Sequence, residues 1–203
     1  MDISQGSLWQ RILRPLKIVS LAPVALLLAC SLPSETMTEG AAAASKPMDE
    51  GEILKVVETL NEGEIRQARL AQESATTPAA RQAAERIIRD HTMLNERLAQ
   101  IAEAEGLQLR ESPLSNGIKA QAEEIEQDLA QLSGQEFDCS YLQKQAELHQ
   151  IALETVRTDL LPQAENEAVQ ELLEASRPAL DSHQEAAELG IAGIPDCPLP
   201  DEG

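Results

Sequence analysis

The chain has 203 residues, a formal charge of −19, and only one Trp, one Tyr and one Phe. So acidic a surface repels phosphate backbones, which proteins bind by neutralising them with Lys and Arg, and this excludes nucleic acid as a partner. With so few aromatics, any core must be built from Leu, Ile, Val and Ala.

Arg11, Arg14 and Lys17 precede a short apolar run from Ile18 to Ala29, the arrangement of a secretory signal. The run falls short of the roughly 20 apolar residues that cross a bilayer. Leu27-Leu28-Ala29-Cys30 resembles the lipobox of bacterial lipoproteins. Residues 1–29 are therefore expected to be a signal peptide, and Cys30 the lipidated first residue of the mature chain, held in the envelope by a palmitate-type anchor. Ser31, rather than Asp, after the Cys favours the outer membrane, with the domain facing the periplasm. Residues 30–49 then comprise this Cys and a spacer without apolar periodicity, which is read as flexible.

From Met48 onward the apolar spacing is helical and shows no strand-like alternation, so the fold class is all-α. Five segments are predicted, at about 50–75, 78–105, 115–132, 136–161 and 166–189. Pro78 suits the first turn of the second, Gly106 ends it and Gly190 closes the fifth. Pro178 is expected to kink the fifth. Short links make antiparallel hairpins of segments one with two and four with five. Segment three then serves as a short crossover helix of a ferritin-like four-helix bundle spanning 50–190, followed by a Pro-rich tail, 191–203. A five-helix up-and-down bundle is the alternative.

Polar residues on the apolar stripes are the most informative feature. His91 points with Ile87, Ile88, Leu94 and Leu98; His149 with Tyr141, Leu142, Ala152 and Val156; His183 with Leu180 and Ala187; and Glu64 with Val57, Leu60, Ala68 and Ala71. Counted from the first hairpin turn, Glu64 and His91 lie at one height. His149 and His183 differ in height by about 7 Å at 1.5 Å per residue. Neutral imidazoles and a carboxylate projecting inward from separate helices suit one Zn, Cu or Fe ion, with Asp90 and Asp181 as carboxylates that could orient the imidazoles. The competing reading is a buried polar network that sets helix register. Ile88, Ala146 and Leu180 stand three residues before the histidines, so the Glu-x-x-His pairs of a ferritin-like di-metal centre are missing. The sequence also has no G-x-S-x-G elbow and no Gly-rich phosphate loop, and no catalytic residue is assigned.

Cys139 opens segment four and Cys197 follows segment five. Antiparallel packing brings these ends together, and in an oxidising compartment the pair is expected to form a disulfide.

Ile88-Arg89-Asp90-His91 with Asn95 and Leu98, Gly134-Gln135-Glu136-Phe137-Asp138 with Tyr141 and Leu142, Glu147-x-His149, and Arg177-Pro178-x-Leu180-x-x-His183 together resemble the bacterial family catalogued as domain of unknown function 4142. The resemblance implies a ferritin-like bundle in a secreted or envelope protein. It marks Glu64, Asp90, His91, Phe137, Asp138, Tyr141, His149, Pro178 and His183 as characteristic positions, and it implies no reaction. Arg177-Pro178 in place of Leu-Pro, the cysteine pair and the long spacer depart from the family pattern. Three readings follow: an anchored bundle that binds a metal ion or a partner without turnover, a structural or stress-associated lipoprotein, and a redox enzyme with a mononuclear His-rich centre. The protein partner is not specified by the sequence.

Overall fold

The computed structural model describes residues 46–199, so the signal segment, Cys30 and most of the spacer lie outside the described residues. Among the described residues five α-helices follow one another: α1 (Glu50–Ser74), α2 (Pro78–Ala104), α3 (Pro113–Leu129), α4 (Gly134–Thr155) and α5 (Glu167–Ala192). Among the described residues, no helix is long and apolar enough to cross a membrane.

The helix starts are written locally. Asp49 accepts from the Glu52 amide at 3.1 Å while the Glu52 carboxylate accepts from the Asp49 amide at 2.9 Å, a reciprocal cap on α1. Thr77 caps α2 ahead of Pro78, and Ser112 caps α3 ahead of Pro113. Asn166 accepts from the amides of Ala168 and Val169 to start α5. Past its last α-helical turn, α4 continues as a π-helical turn, Val156–Leu160, that the periodicity did not forecast.

Terminal contacts fix the direction of each helix. The Glu50 carboxylate, at the start of α1, accepts from the amides of Glu165 and Asn166, just before α5. At the other end, Asp138 near the start of α4 accepts from Thr76 and Thr77 in the α1–α2 turn. Helices α1 and α5 therefore run one way and α2 and α4 the other. Helix α3 travels the length of the bundle beside α1, with Arg66 paired to Glu126 at 3.0 Å. A Cβ on Gly63 would come within 2.7 Å of the Ala122 Cβ, so glycine permits this close packing. The result is a helical bundle with a crossover helix, as the sequence predicts.

Two details differ from expectation. Helix α5 continues past Gly190 to Ala192, so the tail begins later than predicted. Gly190 is a contact point rather than a stop, because a Cβ there would lie 2.9 Å from a Leu142 methyl group. Pro178 is exposed, within an α5 that runs unbroken across it.

One end of the core is a cluster of Ala68, Ala84, Ile87, Phe137, Tyr141, Leu142 and Ile191 with small neighbours. Toward the other end, Ile53, Leu54, Leu98, Leu160, Leu172 and Leu173 are also fully buried. The Cys139–Cys197 disulfide, with its Cα atoms 5.7 Å apart, pins the chain after α5 to the start of α4.

Candidate metal centre

Between the two apolar ends, α1, α2, α4 and α5 each place one ionisable side chain in the interior. Glu64, His91, His149 and His183 are all at most 4% exposed. One nitrogen from each histidine lies within 4.8 Å of the other two. The Glu64 Oε2 atom is 3.1 Å from His149 Nε2 and 3.3 Å from His91 Nε2.

The height difference counted along the helices does not keep His149 and His183 apart: His149 Nε2 and His183 Nδ1 are 3.1 Å apart. Side chains on a helix lean toward its N-terminus. In the antiparallel α4–α5 pair, His149 therefore leans away from the connecting turn and His183 toward it, which closes the gap that Cα counting leaves.

The outward nitrogens fix the tautomers. His149 Nδ1–H donates to the Gln145 carbonyl at 2.7 Å, and His183 Nε2–H donates to Asp90 Oδ2 at 2.9 Å. His91 Nδ1–H donates to Asn61 Oδ1 at 2.8 Å, and Asn61 is itself oriented by its bond to Asn95 Oδ1 at 2.6 Å. Each acceptor leaves the opposite ring nitrogen with its lone pair, and the three lone-pair nitrogens are the ones that converge. Two of them face each other at 3.1 Å, an arrangement that is repulsive for neutral rings until a cation sits between them. His91 Nε2 and Glu64 Oε2 are buried without a hydrogen-bond partner.

Burial sets the charge state. It pushes the Glu64 carboxyl up to about 8. The same desolvation, reinforced by His183, pushes His149 down to about 3. His91 lies well below the ordinary imidazole value, through burial and then its two histidine neighbours, and His183 is lowered chiefly by burial. For Asp90, partial burial is outweighed by Arg89 and His183, which hold its carboxyl below the ordinary value. At neutral pH the interior is thus a protonated Glu64 among neutral imidazoles.

A cleft of about 240 Å³ between α2 and α5 reaches this interior, with Met93, Leu94, Ala179 and Leu180 on its walls and Asp90, His91 and His183 at its floor.

The family model described as Domain of unknown function (DUF4142) matches residues 35–189, most of the chain. The chain belongs to this family. No curated protein matches it. The solved structure of CopM in the Cu(II)-bound form is similar to this DUF4142 chain with a TM-score of 0.53 and 14% identity, over 71% of this chain and 96% of that one. At that identity the likeness shows a shared helical fold.

Within the DUF4142 domain, the structure brings together Glu64, His91, His149, His183 and Asp90 from the set singled out in the sequence. Three others lie elsewhere. Asp181 is exposed and does not reach an imidazole. Asp138, fully buried, holds the α1–α2 turn through Thr76 and Thr77 rather than a histidine. Tyr141 stacks on Phe137 with ring centroids 6.1 Å apart, and its hydroxyl is buried without a partner. Its ionisation is suppressed by burial and then by the Glu64 carboxyl.

Sequence reasoning missed Asn61, Gln67 and Gln145. Asn61 orients His91, and Gln145 Nε2 donates to Gln67 Oε1 at 3.1 Å. Their spacing held a signal, since Asn61 and Gln67 lie three residues either side of Glu64 and Gln145 four before His149.

Proposed function

We propose that the protein binds one divalent transition-metal ion, copper(II) foremost, through His91, His149, His183 and Glu64. The observation that carries this reading is the convergence of three imidazole lone pairs whose tautomers are set from outside by Asn61, Gln145 and Asp90. Adjacent ligands 2.0–2.1 Å from an ion stand roughly 2.9 Å apart in a square plane and roughly 3.3 Å apart in a tetrahedron. The His149–His183 separation of 3.1 Å and the Glu64 separations of 3.1 and 3.3 Å fall between these spacings. Glu64, once ionised, would offset one of the ion's two charges. Among divalent first-row ions, copper(II) binds nitrogen-rich sites most tightly. CopM, a bundle of related shape, has a Cu(II)-bound form.

The site would belong to a lipoprotein. Cys30, following Leu27-Leu28-Ala29, would carry the lipid and tether the bundle to the periplasmic face of the outer membrane. Detergent-phase partitioning of wild type, lost in Cys30→Ser, tests that assignment.

Elemental analysis of untagged protein tests the metal. One ion per chain, absent from His91→Ala/His149→Ala, is the expected result. No metal in the wild type after loading, with the variant altered only in stability, would mean that the cluster is a structural polar network.

A further inference from the structure

We propose that the cleft between α2 and α5 is the door through which the ion enters and leaves. This inference rests on the metal-binding reading above.

All four proposed ligands are buried, with side chains at most 5% exposed, whereas the Asp90 side chain, bonded to His183, is 27% exposed. The opening of about 240 Å³ is lined by His91 and His183, so two of the four proposed ligands border it. A water molecule occupies about 30 Å³, so the space holds a partly hydrated ion. Asp90, paired with Arg89 at 2.8 Å, and Arg97 stand among its polar lining residues, while Leu94, Ala179 and Leu180 offer no competing ligand on the way in. Met93, 60% exposed, stands at the edge of the same opening.

The α1–α2 side is the competing route. It carries a larger groove of about 620 Å³ with Asn95 and Ala99 among its lining residues, but none of the four proposed ligands. The Asn61–Asn95 bond at 2.6 Å closes that side behind His91.

Ala179 and Ala99 are both exposed, so a Trp at either position fills its groove without overpacking the core. The full chain, wild type and variants, is mixed with Cu(II) in a stopped-flow instrument, and loading is followed by the ligand-field absorption. Release is followed by transfer to a chelator. Ala179→Trp is expected to slow loading and release alike, by about tenfold or more, with affinity changed less than about threefold, because a blocked door alters rates and not equilibrium. Ala99→Trp is expected to load at the wild-type rate. Ala175→Trp is a second plug of the same cleft should Ala179→Trp not fold. Wild-type loading in the cleft variants, or equal slowing in Ala99→Trp, overturns the proposal. A wild type that takes up no stoichiometric copper defeats the metal-binding reading itself, before any rate is compared.

Discussion

Glu64→Gln separates a metal ligand from a structural polar residue, because the two roles give opposite signs. In the metal-free protein the carboxyl is raised from 4.5 to about 8 by burial. Above 4.5 the unfolded chain ionises at this position while the folded chain holds the proton, so the wild type loses stability as pH rises and the loss is complete just above pH 8. The interval corresponds to about 5 kcal/mol, a ceiling on the effect. Glutamine keeps the shape and removes the titration. Urea denaturation in the presence of chelator should therefore show the variant gaining on the wild type between pH 5 and pH 9. With metal present the order reverses: losing the anionic ligand is expected to weaken binding by about 10–100-fold or more. A stability difference that does not change with pH, together with undiminished metal affinity, would refute this account of Glu64.

Four further outcomes follow from the same geometry. Glu64 is the group that must lose a proton to bind metal at neutral pH, so one proton should be released per ion at pH 7, and affinity should rise about tenfold per pH unit until it levels off near 8, as titration calorimetry in several buffers would show. Asp90→Asn should weaken metal binding by about 10–100-fold, because a neutral amide accepts the His183 Nε2–H less strongly than the carboxylate that sets its tautomer. Asp138→Asn should instead cost about 1.5–3 kcal/mol of stability by chemical denaturation and leave metal affinity unchanged. Reducing Cys139–Cys197, which closes 58 residues, should cost about 4 kcal/mol in the same assay, again without loss of metal.

The helices were legible because their signals are local. Capping residues Asp49, Thr77, Ser112 and Asn166 and the apolar stripes mark where each begins and which face turns inward. The inward histidines and Glu64 were legible for the same reason. Their meeting was only partly so, because residue counting places Cα atoms while convergence depends on the lean of the side chains, and that lean brings His149 to His183. Asp138 was marked only as a characteristic position, in one motif with Tyr141. Its contact is with Thr76 and Thr77, 62 and 61 residues earlier in the chain, a tertiary pairing that no local spacing announces. Gly190 read as a helix stop because glycine commonly ends helices, yet here the missing side chain makes room for Leu142.

The most direct test of the central claim is pulsed electron paramagnetic resonance of the protein loaded with one Cu(II) per chain, which counts coordinated imidazoles. The account predicts three, falling to two in His149→Asn. A signal from one imidazole or none, unchanged by that substitution, would contradict it.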